Sequence, residues 1–348
     1  MTPPPDSTPE QLAGPGSMEP LASASAPSPP AGGITSDTLA QARQIVAGHL
    51  SPTPLVHLRL RGIDRPVYVK LESFQPTGSF KVRGALAACA AYGKSNPANQ
   101  QRIVTASAGN HGLGIAYAAT RLGIPATVVV PKTASPAKVA ALSSFDIDLR
   151  QIGADYDAAE SAGLEIAQET GRFVSPYNDP VVVAGQATIA YELLEQLNAP
   201  ATVVAPVGGG ALAAGLSLAL AQHTDWRVIG VETEASRACS AAIEHGEIVT
   251  VPIGPTIADG LAGNLEPGSI TPGIIAAAGT RVCAAAESEI RSAVRELATE
   301  HGLVVEGSGV VGLAALRAGL IDGDGPVVLL LTGRNIAAGL LAELLTQP

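Results

Sequence analysis

Aromatic side chains, cysteines, charges and long apolar runs are all scarce in this chain. Only 3% of its residues are aromatic and 15% are charged. The three cysteines, Cys89, Cys239 and Cys283, show no CxxC spacing, so they predict buried, reduced thiols of a cytoplasmic protein rather than a disulfide or zinc framework. No apolar run reaches the roughly 18–20 residues of a membrane span. The net charge of −10 argues against a nucleic acid or an anionic membrane as partner.

Apolar residues are plentiful, at 46% of the chain, which suits large buried parallel sheets. At 348 residues the chain is longer than one hydrophobic core usually serves, so two domains are predicted. From residue 102 onward, short apolar runs alternate with helix-length segments. This alternation is typical of parallel α/β architecture.

Residues 1–33 differ from the rest, because they are rich in Pro, Ser, Ala and Gly. Such a segment cannot bury enough apolar surface to order itself. It also lacks the basic and apolar regions of a secretory signal. We predict a disordered leader, although a wrongly assigned start codon would look the same.

The chain is organised around residues 75–84, which read QPTGSFKVRG. A turn runs into an Ala-rich helical segment, with Ser79 as a candidate cap and Lys81 in the first turn. The N-terminus of a helix carries positive partial charge, so a cation there is unfavourably placed. Either the Lys81 ammonium reaches solvent as a surface lysine does, or its pKa is depressed, as Schiff-base chemistry requires.

Two glycine-rich turns follow predicted strands, at residues 107–112 (SAGNHG) and 207–212 (VGGGAL). Each opens a predicted helix, so its backbone N–H groups can bind an anion such as a phosphate. Each is also compatible with a plain strand-to-helix turn. Glu306 begins another Ala-rich helix, where a carboxylate can simply favour the helix N-terminus.

Residues 70–85, KLESFQPTGSFKVRGA, resemble the lysine signature of the fold-type II pyridoxal-phosphate (PLP) enzymes, most closely the threonine/serine dehydratase and serine racemase branch. The resemblance extends over about residues 35–345 and implies a two-domain α/β fold, tryptophan synthase β-like, with an open, mostly parallel sheet flanked by helices in each domain. We expect a large PLP-binding domain at residues 34–101 and 177–348 and a small domain at residues 102–176. No appended regulatory domain is expected.

The resemblance implies a role for each motif. Lys81 would form the Schiff base with PLP and act as a catalytic residue together with Thr332, whose hydroxyl would face the pyridine nitrogen. Phe80 would pack on the cofactor ring, and Glu306 would lie near the cofactor. Asn110 would hydrogen-bond the cofactor 3′-oxygen. The substrate carboxylate would be held by Ser107, Ala108, Gly109, Asn110 and His111, and the phosphate by Gly208, Gly209, Gly210, Ala211 and Leu212.

Three positions depart from the family pattern. Ala211 stands where glycine is usual, which would strain the phosphate turn if its φ were positive. Arg334 replaces a glycine after Thr332, and it either points to solvent or reaches the site. Ala238 stands where relatives that bind a cation have an Asp. No metal is therefore expected, and Glu232 is interpreted as a plain surface carboxylate.

The expected reaction is decided by Ala108. Racemisation and elimination both begin with removal of Cα–H by Lys81, but serine racemases have a hydroxyl at the Ala108 position, and a methyl group cannot transfer a proton. We therefore expect a PLP-dependent threonine/serine ammonia-lyase, which converts a 3-hydroxy amino acid such as L-threonine or L-serine to a 2-oxo acid and ammonia. The resemblance also implies a homodimer.

Other functions stay open as alternatives. An amino-acid racemase or a 3-hydroxyaspartate dehydratase would use the same scaffold. A β-replacement enzyme or threonine synthase is more distant, because Val82 replaces the Asp usual in those enzymes. A nicotinamide enzyme would need a GxGxxG turn followed by a ribose-binding acid, which is lacking. A catalytically inactive binding protein is disfavoured by the presence of Lys81 and Asn110.

Overall fold

The computed structural model describes residues 1–2, 33–93 and 101–346. The predicted leader therefore lies almost wholly outside the described residues. Within them, the strands are β1 (Leu55–Leu58), β2 (Val67–Lys70), β3 (Arg102–Ala106), β4 (Ala126–Val130), β5 (Asp148–Gln151), β6 (Gly171–Phe173), β7 (Thr202–Pro206), β8 (Arg227–Thr233), β9 (Arg281–Ala285) and β10 (Val327–Leu330).

Helices connect most of these strands, as expected for parallel pairing. They are α1 (Ser36–His49), α2 (Lys81–Gly93), α3 (Asn110–Leu122), α4 (Pro136–Leu142), α5 (Tyr156–Thr170), α6 (Pro180–Gln196), α7 (Ala211–Leu220), α8 (Ala238–His245), α9 (Thr271–Ala277), α10 (Glu287–His301), α11 (Gly307–Arg317) and α12 (Ala338–Thr346). No helix in the described part of the chain is long and apolar enough to cross a membrane.

The strands form two sheets, which confirms the predicted fold class. The larger has the order β1-β2-β10-β7-β8-β9, and only the β1–β2 pair is antiparallel. The smaller has the order β5-β4-β3-β6 and is parallel throughout. Its strands all lie inside the range predicted for a small domain, whose boundaries stay a prediction. The motifs at residues 107, 208 and 332 follow β3, β7 and β10, at the strand ends where open parallel sheets bind ligands.

Helix α2, which begins at Lys81, is packed between α3 and α6. Its contact with α6 depends on glycine, because a Cβ on Gly185 would lie 2.5 Å from the Gly84 Cα. On the other side, a Cβ on Gly114 of α3 would lie 3.2 Å from the Lys81 carbonyl. Small residues thus let three helices converge on the first turn of α2.

A buried ion network anchors that turn. The Arg83 guanidinium contacts the Glu72 carboxylate at 2.7 Å and the Glu192 carboxylate at 2.6 Å. Lys70 contacts the other oxygen of Glu192 at 2.5 Å. The network joins β2, the 3₁₀ turn Glu72–Phe74, α2 and α6. Each buried charge has an opposite charge beside it, which offsets its lost hydration.

Several predicted helix starts are wrong by a few residues. The sequence predicts Ser36 or Asp37 as the cap of α1, but Thr35 is the cap and accepts from the Thr38 N–H. It predicts that α6 begins at residue 185, whereas α6 begins five residues earlier, at Pro180, after the Asp179 cap. Pro at the first helical position is favourable, since its missing N–H would have no intrahelical partner.

Candidate active site

Lys81 lies between the end of β10 and the segment that follows β6. Its Nζ donates a hydrogen bond to the Pro176 carbonyl at 2.9 Å. Protein atoms surround the amine, and this loss of hydration lowers the pKa of Lys81 to about 8, although the Glu306 carboxylate opposes the shift. Of the two interpretations open at the sequence level, the structure favours the depressed pKa.

The residues before Lys81 pair with those after β10. Ser79 and Gly333 form an antiparallel bridge, and the Phe80 N–H donates to the Thr332 carbonyl at 3.0 Å. Lys81 Nζ lies 5.4 Å from the centre of the Phe80 ring. The pairing thus brings the predicted lysine, aromatic and hydroxyl residues together. The Ser79 hydroxyl is buried without a partner in the described part of the chain, so the prediction that it caps α2 is wrong.

Asn110 and Glu306 meet through their side chains. Asn110 Nδ2 donates to Glu306 Oε1 at 2.7 Å, and Asn335 Nδ2 donates to Asn110 Oδ1 at 2.6 Å. Burial raises the pKa of Glu306 to about 7. The approach requires Gly333, because a Cβ there would lie 2.1 Å from Glu306 Oε1. A second predicted pair of site residues is therefore in direct contact.

The turn between β3 and α3 presents backbone N–H groups. Helix α3 begins at Asn110, and its N-cap, Gly109, provides no side-chain acceptor. The Gly109 N–H donates to Ser107 Oγ at 3.2 Å. Ala108 is half-buried and packs against the core. An uncapped helix N-terminus offers N–H donors to an anion, and the binding of the substrate carboxylate here stays a prediction.

The His111 side chain turns away from this turn and into the protein. Its Nε2 lies 3.1 Å from the Val174 carbonyl, and a carbonyl only accepts, so Nε2 carries the hydrogen. Burial lowers the pKa of His111 to about 3, which keeps the ring neutral. Only the backbone N–H of His111 is therefore available to an anion at the helix end.

The three glycines after β7 form a tight cradle at the start of α7. A Cβ on Gly208 would lie 2.9 Å from the Leu261 Cα, and one on Gly209 would lie 2.1 Å from Cγ of Tyr177. Gly210 is the N-cap, with φ of 83° and no side-chain cap. The first N–H groups of α7 have no acceptor within the helix, so the cradle offers donors to an anion.

Ala211 does not strain this cradle. It is the first residue of α7 and so has the negative φ of a helix, which any residue adopts. The positive φ falls one residue earlier, at Gly210. Leu212 is buried in the core behind the helix, so both residues contribute to the cradle through their backbone.

Glu232 is not the surface carboxylate that the sequence suggests. It is 1% exposed and caps α8, accepting from the Cys239 N–H at 2.8 Å and from the Ser240 hydroxyl at 2.5 Å. Both carboxylate oxygens are thereby used. Among the described residues, no group of three or more His, Cys, Asp or Glu could hold a metal ion.

Sequence reasoning gave no role to Asn335, although it stands only three residues after Thr332, and it missed Pro176 and Tyr177 as neighbours of the site. The contacts of these residues join segments far apart in the chain, as Asn335 and Asn110 do at a separation of 225 residues. Arg334, left open between solvent and site, is exposed. Its guanidinium donates to the Ser73 carbonyl and lies 6.0 Å from the Phe74 ring.

Comparison with known families matches residues 46–333 to the model described as pyridoxal-phosphate dependent enzyme. The chain belongs to this family. The L-threonine ammonia-lyase of Geobacter sulfurreducens is 40% identical over 276 residues, which are 78% of this chain and 67% of that protein. The catabolic L-threonine dehydratase of Escherichia coli K12 is 33% identical over 310 residues, covering 87% and 93% of the two chains.

Solved structures of PLP enzymes have the same fold. The threonine deaminase of T.th. has a TM-score of 0.79 at 34% identity, over 87% of this chain and 99% of that one. Maize serine racemase has a TM-score of 0.80 at 28% identity, over 88% and 95% of the two chains. Both lyase and racemase structures therefore resemble this PLP enzyme.

The described residues fit a PLP molecule. The cradle at Gly208–Gly210 has no room for a Cβ and ends at an uncapped helix, which suits a phosphate. Lys81 supplies an amine with a lowered pKa. Thr332 is 3% exposed, and its hydroxyl makes no hydrogen bond to another residue in the described part of the chain. The cofactor would use backbone N–H donors for its phosphate, a reactive amine and a hydroxyl that has no other partner.

Proposed function

We propose that this chain is a PLP-dependent ammonia-lyase for 3-hydroxy amino acids of the L-threonine and L-serine type, releasing a 2-oxo acid and ammonia. The observation that supports this most is Lys81, whose amine has a pKa of about 8 and lies between the ends of the two sheets. The chain is also 40% identical to an L-threonine ammonia-lyase.

We assign the cofactor contacts residue by residue. The backbone N–H groups at residues 208–212 would hold the phosphate. The amine of Lys81 would bond to the carbonyl carbon of the cofactor. Asn110 Nδ2 would donate to the 3′-oxygen, Phe80 would pack on the ring and the Thr332 hydroxyl would face the ring nitrogen. Glu306 would lie near the cofactor and accept a hydrogen bond from Asn110. When bound, PLP supplies an electron sink for charge that develops at the substrate Cα.

Lys81 is proposed as the general base that takes the Cα proton at Nζ. A base is most effective when its pKa is near the working pH, because it is then partly neutral and still basic. Burial places Lys81 in that range, whereas an ordinary lysine, with a pKa of 10.5, is almost fully protonated at neutral pH. The substrate carboxylate would bind at the N-terminus of α3, with Ser107 Oγ beside it.

Racemisation is the second candidate, because a serine racemase structure has a TM-score of 0.80 to this chain. Against it stands Ala108, whose methyl group carries no proton to deliver to the opposite face of Cα. Since Ala108 is half-buried beside the uncapped end of α3, a hydroxyl there would enter the proposed substrate-carboxylate site.

The first testable prediction concerns this position. Ala108→Ser is expected to produce D-amino acid from the L-substrate. A positioned proton donor raises the rate of a proton-transfer step by about a hundredfold or more, so the rate of racemisation in the variant should be about a hundred times that in the wild type or more. Chiral chromatography of the product mixture measures it, with Ala278→Ser on an exposed turn as control. Absence of any D-product would show that Ala108 does not decide the outcome.

An end-point assay tests the function itself. Purified protein with PLP is offered L-threonine, L-serine and both diastereomers of 3-hydroxyaspartate, and the 2-oxo acid, ammonia and D-amino acid are measured together. Equimolar 2-oxo acid and ammonia without D-product supports the lyase. D-product without 2-oxo acid would make the protein a racemase.

We also propose a cytoplasmic homodimer. The cytoplasmic location is supported by the free cysteines, of which Cys89 and Cys239 are buried, and the dimer by the resemblance alone. Sedimentation of the holoenzyme is expected to give the mass of two chains. A monomer at all concentrations would contradict the dimer.

A further inference from the structure

Asn335 connects parts of the site that come from the two sheets. Asn110 follows β3 of the smaller sheet, whereas Asn335 follows β10 of the larger one. Asn335 Nδ2 donates to the Thr77 carbonyl at 2.9 Å and to Asn110 Oδ1 at 2.6 Å. The backbone N–H of Asn335 also lowers the pKa of the Glu306 carboxyl group, against the larger opposing effect of burial. The Asn335 side chain therefore joins the segment before Lys81 to the turn that precedes α3.

The orientation of the Asn335 amide is determined by its surroundings. The amide nitrogen carries two hydrogens, and both are used, one by a backbone carbonyl that can only accept. Turning the amide over would place Oδ1 against the oxygens of Thr77 and Asn110, which would repel it. Asn335 Oδ1 instead lies over Gly78, where a Cβ would come within 2.5 Å of it.

This orientation is passed on to Asn110. Because Asn335 donates, Asn110 must present Oδ1 on that side, and its Nδ2 then points to the opposite side. One Nδ2 hydrogen goes to Glu306 Oε1 at 2.7 Å. The other has no acceptor in the described part of the chain, so Asn110 keeps one donor for a ligand.

We propose that Asn335 is a positioning residue, which fixes the Asn110 side-chain amide with Nδ2 toward the cofactor. The inference rests on the proposed function, since it takes the ligand of Asn110 to be the cofactor 3′-oxygen. Without Asn335, the two orientations of the Asn110 amide become closer in energy, and in one of them an acceptor would face the cofactor oxygen.

The test uses Asn335→Asp and Asn335→Ala. The carboxylate of the Asp variant has nearly the same shape but cannot donate, so it should favour the reversed Asn110 amide, whereas Ala leaves that amide free. Asn198→Asp, on an exposed turn after α6, is the matched control. Apo-proteins are titrated with PLP, and the growth of the visible absorption band of the bound cofactor gives the dissociation constant. A second titration, with pH, gives the pH at which that band has changed by half.

We expect the dissociation constant to rise about tenfold in Asn335→Ala and further in Asn335→Asp, the range for loss of one hydrogen bond to a charged group. In Asn335→Asp the pH midpoint of the band should move upward, because a donor that stabilises the ionised 3′-oxygen is lost. The control should change neither quantity.

Three results would overturn the proposal. Wild-type affinity and pH midpoint in Asn335→Asp would show that Asn335 does not orient Asn110. Early thermal unfolding of both apo-variants, relative to the Asn198→Asp control, would make Asn335 a structural residue only. Absence of a visible band in the wild-type protein would overturn the proposed function together with this inference, whereas the first two results would leave that function standing.

Discussion

At the scale of single residues, the site depends on burial that changes which groups carry charge. Burial lowers the pKa of Lys81 to about 8 and raises the pKa of Glu306 to about 7. Burial also keeps His111 neutral. The desolvated charged form is the costly one in every case, so one physical cause explains shifts in opposite directions. An amine that is partly neutral near the working pH is what the proposed chemistry needs.

Replacement of the lysine is the most direct test at this scale. Lys81→Ala is expected to lower turnover by about a thousandfold or more, since both the cofactor link and the proton acceptor are lost. Circular dichroism should show an intact fold. Lys132→Ala, at an exposed position, should behave as wild type in the same coupled assay. Turnover that survives in Lys81→Ala would refute the assignment.

A pH experiment tests the coupling of Lys81 to Glu306. Where Lys81 titrates, Glu306 is largely ionised, and its charge raises the pKa of Lys81. Glu306→Gln removes that charge, so the amine should become neutral at a lower pH, by about one pH unit. The rate at which apo-protein takes up PLP, followed by absorbance against pH, should rise with pH and reach half its maximum earlier in the variant.

The matched control for this experiment is Glu247→Gln, at an exposed position. It should leave the midpoint of PLP uptake unchanged. A midpoint that stays in place or moves to higher pH in Glu306→Gln would contradict the proposed electrostatic coupling.

At the scale of elements, the first turn of α2 is held by charges rather than by a cap. Arg83, two residues after Lys81, is 0% exposed and contacts Glu72 and Glu192. The pKa of Glu72 is held below its ordinary range by Arg83, against the opposing effect of burial. Breaking such a pair is costly, because it leaves an uncompensated buried charge.

Arg83→Leu is therefore expected to lower the free energy of unfolding by about 3–5 kcal/mol at neutral pH. The loss should shrink as the pH falls, because Glu72 without its partner can take up a proton in the folded state. Denaturant unfolding of the apo-protein at two pH values measures both effects.

Arg43→Leu provides the control at the same scale. Arg43 pairs with Glu195 at 2.6 Å, but both side chains are more than half exposed, so its loss should cost less than about 1 kcal/mol. Equal losses in the two variants would show that the buried network adds nothing beyond a surface pair.

Element boundaries show where sequence reasoning works and where it does not. Helix α7 begins at Ala211, directly after the glycine turn that predicted it, because such a turn is a local signal. Helix α3 begins at Asn110, inside its glycine turn and four residues before the predicted start at residue 114. The predicted start of α6 is five residues late, although the Asp179 cap followed by Pro180 at the first helical position is also a local signal. The Glu232 cap of α8 could not be predicted, because it joins a strand to a helix through side-chain contacts.

At the scale of the whole molecule, the proposed cofactor contacts come from both sheets. Asn110 belongs to the smaller sheet, and Thr332 and the glycine cradle belong to the larger one. Lys138 of α4 also forms an exposed ion pair with Asp259, at 3.7 Å. A ligand that contacts both sides should therefore stabilise the protein as a unit.

PLP is expected to raise the thermal unfolding midpoint. At a concentration one hundred times its dissociation constant, a ligand adds about 2.7 kcal/mol of stability, which amounts to several degrees for a protein of this size. Calorimetry of apo-protein and holoenzyme measures the shift. In Lys81→Ala, which cannot bind PLP covalently, PLP should raise the unfolding midpoint by less. An unchanged midpoint in the wild type would argue against a site shared by both sheets.

The sequence by itself determined the fold class, the family and the lysine, asparagine and glycine motifs, because these signals are local and lie within a few residues. Tertiary structure alone decided the charge states of Lys81 and Glu306, the inward orientation of His111, the cap formed by Glu232 and the contact of Asn335 with Asn110. Those properties depend on burial and on contacts between residues far apart in the chain, and no local pattern encodes either.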